Sequence, residues 1–332
     1  MKKLNAVFVG CANISAACLD ELLLQDSIQL DAIFTANKDS IVKRQISDVG
    51  VFDTLVKNQC EVIKISPEEI NGAQCIKKIQ QLQPDILFCI GWPILIKKEI
   101  LEIPRYALGM HPSKLPKNRG QAPIPWSIIR GQTSSAVTCF RLEERADSGE
   151  IYAQRSFKIK QDADATDIYK IYAALGRQII SEVLNKLISD TLTGRLQDES
   201  EATYTRKRIP QDGFIDWAQP TKNIYALVRA LTYPYYPGAF TYINDERLTE
   251  LKIWIAEPFA PKDKYSGSPG QIVAIRNGCP IVRTGDGTLL IKKVGIPNKN
   301  IFDAADFDFK INDRLGISQA HIASIISNFK GS

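Results

Sequence analysis

Short apolar runs alternate with stretches of helical periodicity through the first half of the chain. Leu4 to Val9 predicts a strand, and Ile14, Cys18, Leu22 and Leu23 share one face of the helix that follows. Further strands are predicted at Leu30–Thr35, Cys60–Ile65 and Asp85–Ile90, with Ile76, Ile79 and Leu82 marking the helix between the last two. Continuous apolar strands separated by helices predict a parallel sheet covered on both faces. Such a doubly wound α/β arrangement binds ligands beyond the C-terminal ends of its strands. Two more strands are predicted at Ala136–Leu142 and Ile151–Ile159. A long helix then runs from Thr166 to Ser189, with Ile168, Tyr172, Leu175, Ile179, Val183 and Leu187 as its buried stripe.

The pattern changes after that helix. The polar stretch 191–205 reads as a linker between a first domain of residues 1–190 and a second of residues 206–310, with 311–332 left as a C-terminal tail. The second domain opens with a helix near Ile224–Leu231. Short alternating runs follow at Ala239–Ile243, Leu251–Ile255, Gln271–Ile275, Ile281–Thr284 and Leu289–Val294, and Gly285-Asp286-Gly287 supplies a tight hairpin. Five short strands with Gly and Pro turns predict a smaller, mainly β, barrel-like domain.

Composition narrows the function classes. A net charge of +5 falls far short of the basic stripe of a dedicated nucleic-acid binder, while suiting anionic small molecules. The longest apolar run, Asp85 to Ile96, is broken by Gly91 and Pro93 and is too short to cross a bilayer. Asp20 and Glu21 soon interrupt the apolar N-terminus, so a first strand and helix fit it better than a secretory signal. The seven cysteines are scattered without a Cys-x-x-Cys pair, which points to a reducing, cytoplasmic setting. With only two histidines, no metal-ligand cluster is recognisable, and no metal is expected.

Candidate chemistry is concentrated in residues 109–131, Gly-Met-His-Pro-Ser-Lys-Leu-Pro-Lys-Asn-Arg-Gly-Gln-Ala-Pro-Ile-Pro-Trp-Ser-Ile-Ile-Arg-Gly. Its four prolines deny it regular hydrogen bonding, and a strand-like Tyr106–Leu108 precedes it. A rigid loop at the C-terminal edge of the sheet is therefore expected, bringing His111, Ser113 and Arg119-Gly120 close together. Taken alone, it reads equally well as a structural loop with a solvent-facing histidine. A second polar loop, Leu142 to Ile151, holds Asp147 before Ser148-Gly149, where an aspartate can simply make a turn. Gly10-Cys-Ala-Asn13 forms the first strand–helix turn. It lacks the Gly-x-Gly-x-x-Gly of a dinucleotide dehydrogenase.

Together these loops resemble the folate-dependent formyltransferase family, which carries Asn-x-His-x-Ser…Leu-Pro-x-x-Arg-Gly and, some three dozen residues later, Asp-x-Gly. His111, Ser113, Leu115-Pro116, Arg119-Gly120 and Asp147-Ser148-Gly149 fall on that pattern in register, and Asp212-Gly-Phe-Ile-Asp-Trp217 and Pro237-Gly-Ala-Phe240 resemble the start of its C-terminal domain. Several separated motifs in one order, over about residues 1–295, make this a specific signal. The resemblance implies a Rossmann-like first domain, an OB-like second domain and 10-formyltetrahydrofolate as co-substrate. It also implies that an acceptor amine attacks the formyl carbon, with His111 stabilising the oxyanion or moving a proton. Asp147 would orient the imidazole, or a water, and favour its protonated form. The pterin would lie against Ile94, Leu95 and Ile96, against Gln121, and against Glu143, Glu144, Arg145, Ala146 and Asp147. One position departs from the pattern: Gly109 stands where the family has Asn. Asn118, Gln121, backbone N–H groups and water are the candidates to replace its amide.

Two acceptor classes compete within the resemblance. Initiator methionyl-tRNA formyltransferases carry a basic insertion after the second strand; here Ala36–Gln45 offers three bases mixed with an acid, a thin phosphate grip. The Ser47–Asp53 stretch, Gly91-Trp92 and Arg208-x-Pro-x-Asp-Gly213 look more like the nucleotide-sugar formyltransferases. A nucleotide-linked amino-deoxy sugar is thus the expected partner, with Gly10, Cys11 and Asn13 at its pyrophosphate and Ser113 and Lys114 nearby. Lys117 is a further phosphate candidate, and Cys11 a conceivable reactive thiol. A charged methionyl-tRNA is the alternative acceptor, and a non-catalytic folate or nucleotide-sugar binder is the alternative of another class. The aromatic run Tyr233-Pro-Tyr-Tyr-Pro237 could build a homodimer surface or core.

Overall fold

The computed structural model describes residues 3–44, 60–243, 249–259, 264–296 and 301–317. They divide into two compact units, the first drawn from Met1–Ile124, Thr133–Lys160 and Asp167–Lys207, the second from Pro125–Gln132, Gln161–Thr166 and Arg208–Ser332. The stretch Ser47–Asp53, read above as a substrate signature, lies outside the described residues.

The first unit opens with β1 (Leu4–Val9), α1 (Asn13–Leu23), β2 (Ile28–Ala36), α2 (Lys38–Arg44), β3 (Glu61–Ile65), α3 (Ala73–Leu82), β4 (Ile86–Cys89), α4 (Lys98–Leu101) and β5 (Tyr106–His111). It continues with β6 (Arg119–Gly120), α5 (Pro123–Ile129, which runs into the second unit), β7 (Ser134–Arg141), β8 (Ile151–Lys158), α6 (Ala165–Ile188) and β9 (Tyr204–Thr205). Its seven-stranded sheet has the order β3-β2-β1-β4-β5-β7-β8. The first five strands are parallel, as their unbroken apolar runs predict, whereas β7 and β8 add an antiparallel edge. Phe8, Phe34 and Phe88 are almost wholly buried in β1, β2 and β4; each contributes roughly 1.5–3 kcal/mol by leaving water. The strand order reverses beside β1, so the crevice of this fold opens between β1 and β4. There Ser15 ties the two crossovers together, accepting from the Ala12 N–H at 3.0 Å and donating to the Ile90 carbonyl at 2.5 Å.

The long helix falls where periodicity puts it, with Ile168, Tyr172, Ile179, Val183 and Leu187 buried. Gly176 lets it approach closely: a Cβ there would sit 3.0–3.2 Å from Ile14, Met110 and Cys18. Two boundaries differ from expectation. Strand β5 continues to His111 rather than stopping at Leu108, because the ladder to β7 runs on through the pairs Met110–Cys139 and His111–Thr138. The stretch 191–205 is no free linker: Arg195 bridges Ile151, and β9 pairs in parallel with β6. Its polarity reflects hydrogen bonding to other loops.

The second unit contains α7 (Thr221–Ala230) and an antiparallel sheet of β10 (Ala239–Tyr242), β11 (Glu250–Pro258), β12 (Ile272–Arg276), β13 (Cys279–Arg283), β14 (Thr288–Gly295) and β15 (Phe302–Asp303), in the order β10-β11-β14-β13-β12 with β15 on β14. β15 is too short for an alternating pattern to reveal it. The residues expected as tail join the two edges of the sheet: Ile243 bridges Leu315 and Gln271 bridges Arg314. The Ile272 N–H donates to the Asp313 carbonyl at 2.9 Å and the Gly316 N–H to the Tyr242 carbonyl at 2.7 Å. Among the described residues no helix is long and apolar enough to cross a membrane.

Candidate active site

Strand alternation sends Met110 and His111 to opposite faces of the sheet. Met110 meets Cys18, and its carbonyl accepts the Tyr172 hydroxyl at 3.0 Å, which fixes the strand end beside the histidine. Past His111 the proline-rich loop is tied down by side chains. The Thr138 hydroxyl donates to the Ser113 carbonyl at 2.6 Å, Gln154 donates to the Leu115 carbonyl at 3.0 Å, and Leu115 packs with Phe140 and Ile151. Asn118, Gly120 and Ala122 then adopt positive φ of 59°, 97° and 54°. This left-handed bend aims the Asn118 carbonyl and the Gly120 N–H inward. Only glycine fits at 120, since a Cβ would lie 2.5 Å from the Thr205 carbonyl oxygen.

The structure brings His111 and Asp147 together. Nδ1 of the ring lies 3.6 Å from Oδ1 of the carboxylate, and the side chains are 8% and 18% exposed. Nε2 lies 2.8 Å from the Asn118 carbonyl. A carbonyl can only accept, so Nε2 carries a proton and a second proton can reside only on Nδ1, facing the carboxylate. The other carboxylate oxygen accepts the Gly120 N–H at 2.7 Å. The imidazole is thus enclosed, and the carboxylate is the more accessible partner.

Arg119, between those two main-chain contacts, turns its side chain into the protein. It is fully buried, and all five guanidinium protons are used: Nε and Nη2 on Gln197 Oε1 at 3.1 and 2.8 Å, Nη1 and Nη2 on the Glu199 carboxylate at 3.1 and 2.7 Å, and Nη1 on the Tyr204 hydroxyl at 3.3 Å. Burial works against its charge, yet the hydrogen bonds to Glu199 and Tyr204 hold the guanidinium above its ordinary range. The Arg119 N–H also donates to the Thr203 carbonyl at 2.8 Å, and Asn118 N–H to the Thr203 hydroxyl at 2.8 Å. Gln197, Glu199, Thr203 and Tyr204 were missed from sequence, since nothing in a polar stretch shows which distant loop it braces.

Gly109 lies deep in β5 opposite Phe140. A Cβ there would approach Leu142 to 2.6 Å and the Phe140 ring to 3.1 Å, so apolar side chains fill the place of the expected amide. Of its suggested replacements, Asn118 is buried and Gln121 has an exposed side chain.

The remaining predicted residues fall into separate groups. Leu142 and Trp92 both pack against the core cluster that contains Ile96. Asn71 holds the loop 91–96, donating to the Leu95 carbonyl and accepting from the Lys97 N–H, both at 2.9 Å. Among the described residues, the main chains of Ile94, Ile96, Glu143, Glu144 and Ala146 have no hydrogen-bond partner, while the carbonyls of Arg145 and Asp147 accept from Ser148 and Gln197. The side chain of Ser113 is turned inward, its hydroxyl donating to the Lys117 carbonyl at 2.7 Å. Lys117 pairs with Glu201 at 3.0 Å, which weakens its case as a phosphate partner, whereas Lys114 is exposed. Gly10 is buried, and Cys11 is 1% exposed with its thiol on the Gly91 carbonyl, a setting that disfavours a reactive thiolate. Asn13 is half-buried. Among the described residues no group of three or more His, Cys, Asp and Glu could hold a metal.

Fold and site define a two-domain enzyme with an imidazole–carboxylate pair at the mouth of a parallel sheet. The profile of the formyl transferase family matches residues 6–184, and that of the formyl transferase C-terminal domain matches residues 208–310. The chain therefore belongs to the formyl transferase family, transferases of one-carbon formyl groups. It is 32% identical over 244 residues to a methionyl-tRNA formyltransferase of Geobacter metallireducens, covering 73% of this chain and 76% of that protein. An N-formyltransferase from Helicobacter canadensis, solved in complex with folinic acid and dTDP-3-aminofucose, shares the fold at 19% identity with a TM-score of 0.60, covering 88% of this chain and 99% of that one. HypX from Aquifex aeolicus matches with a TM-score of 0.64 at 19% identity; 92% of this chain corresponds to only 47% of that longer protein.

Proposed function

We propose that this chain transfers the formyl group of 10-formyltetrahydrofolate to the amino group of a nucleotide-linked amino-deoxy sugar. The convergence of His111 and Asp147 across 36 residues of sequence carries the chemical part of this reading. The co-substrate supplies an activated formyl carbon. The main-chain groups of Ile94, Ile96, Glu143, Glu144 and Ala146 suit the donor and acceptor edges of a flat heterocycle, and Leu95, Arg145 and Gln121 are the further residues assigned to it. Asp147, the more exposed of the pair, takes the proton that a primary ammonium must lose before it attacks. His111 shares that proton at Nδ1, because Nε2 is engaged by Asn118. An imidazolium there places positive charge where negative charge develops. The tetrahedral intermediate then collapses with cleavage of the bond from the formyl carbon to N10, which takes up a proton from the pair so that tetrahydrofolate leaves with N10 neutral.

The acceptor assignment rests on the first turn and on the sparse charge after β2. Lys38, Lys43 and Arg44 share α2 with Asp39, too few bases to grip an acceptor stem. Of the residues assigned to the sugar nucleotide, Asn13 is half-buried and Lys114 exposed. The identity to the Geobacter protein favours a second reading, with charged methionyl-tRNA as acceptor. The discriminating experiment incubates the chain with 10-formyltetrahydrofolate and, separately, a panel of nucleotide amino-sugars and charged methionyl-tRNA, followed by mass spectrometry. One formyl group gained on a sugar nucleotide supports the proposal. Formylation of the tRNA alone overturns the acceptor, and no transfer to any amine overturns the activity.

A further inference from the structure

We propose that Gln197 is a positioning residue that sets the geometry of the His111–Asp147 pair, an inference that rests on the formyl-transfer reading of that pair. Its carboxamide uses all four of its hydrogen-bonding positions. Oε1 accepts from Nε and Nη2 of Arg119 at 3.1 and 2.8 Å, and Nε2 donates to the carbonyls of Asp147 and Gly149 at 2.9 and 2.7 Å. The orientation of the amide is dictated by chemistry, since a guanidinium only donates and a carbonyl only accepts. Gln197 therefore joins the two loops that supply the pair.

The junction matters because of what flanks Arg119. On one side the Asn118 carbonyl holds the imidazole; on the other the Gly120 N–H holds the carboxylate. Anchoring the buried Arg119 side chain fixes both contacts at once. On the opposite loop, Asp147 has φ of 54°, a left-handed backbone that few residues other than glycine adopt, aspartate more readily than most. Gln197 grips the carbonyl of that residue. The Nδ1–Oδ1 separation of 3.6 Å lies outside direct hydrogen-bond range, so a small displacement of the Asp147 loop decides whether a proton passes between them.

Two variants of the full chain test this. Gln197→Glu keeps an acceptor for Arg119 but turns a carboxylate oxygen toward two carbonyls; Gln197→Met keeps the length and removes every hydrogen bond. Both are expected to lower kcat by about 10²-fold, the effect of a small misplacement of reacting groups. KM for either substrate should change less than kcat, and Gln197→Glu should still unfold in one cooperative transition, at a midpoint below that of wild type. A second readout does not depend on turnover. The chain has two histidines, so ¹⁵N-histidine labelling gives ring signals that His111→Ala assigns. Wild type should show the Nε2-protonated tautomer and both variants a changed ring signature. Unchanged ring signals with kcat near wild type in Gln197→Glu overturn the positioning role, as does failure of both variants to fold, which would make Gln197 purely structural. Changed ring signals in a chain whose wild type transfers no formyl group would instead sink the functional reading and leave the positioning intact.

Discussion

Two polar segments meet at the site and differ in what they contribute. Residues 111–122 carry the imidazole and the inward-facing main-chain groups, on a backbone bent by prolines and left-handed residues. Residues 195–205 place no side chain on the imidazole or the Asp147 carboxylate, yet their side chains and β9 hold the first segment in place. Reactive groups are thus separated from the groups that position them. A site built this way is precise because its supports are saturated with partners, as the five used protons of Arg119 show.

The largest effects should come from the first segment and its partner loop. His111→Ala and Asp147→Asn should each lower formyl transfer by about 10²–10⁴-fold, measured as initial rates on the acceptor found above, with little change in thermal midpoint. Activity near wild type in both would break the division between reactive and supporting groups. Next is the support itself. Arg119→Met removes a guanidinium whose hydrogen bonds go to Gln197, Glu199 and Tyr204, and should lower unfolding stability by about 2–3 kcal/mol in urea titration. A loss below roughly 1 kcal/mol would class the pair with ordinary surface ion pairs.

Gly109→Asn sharpens the comparison from inside the sheet. Its Cβ would collide with Leu142, so the variant should lose about 1–3 kcal/mol through overpacking and gain no activity. Combining it with Leu142→Ala should recover part of the stability; a rise in kcat in the single variant would show that the site accepts an amide there after all. The smallest effect concerns pH. The hydrogen bond with Arg119 holds the Glu199 carboxyl below the ordinary glutamate value of 4.5. A depressed folded value stabilises above the unfolded one, and that contribution is lost as pH falls through the folded value. The melting difference between wild type and Glu199→Gln should therefore be constant near neutrality and close in acid below pH 4.5. A difference that widens in acid would contradict the sign.

Much of the fold was legible because strand and helix periods are local properties. The apolar runs from Leu4 to Ile90 fixed the parallel core, and the stripe from Ile168 to Leu187 fixed the long helix, since burial imposes its period on neighbouring residues. His111 and Asp147 could be singled out only through the family resemblance, since each loop taken alone reads equally well as a structural turn. The brace was not legible. Gln197 meets Arg119 across 78 residues and Asp147 across 50, and a polar residue with distant partners looks like one in water until the chain is folded. Gly109 shows the same limit: its missing side chain was visible, but not that Leu142 and Phe140 fill the space.

By itself, then, the sequence determined the periodic elements and the two-part architecture, because each is written in residues close together in the chain, and it named the two candidate loops that carry His111 and Asp147. Tertiary structure alone decided which nitrogen of His111 is protonated, how the edges of the second sheet are joined through residues 313–316, and which polar residues hold the site. Those features depend on hydrogen bonds between main-chain and side-chain groups far apart in sequence, which acquire a partner only when the loops are packed together.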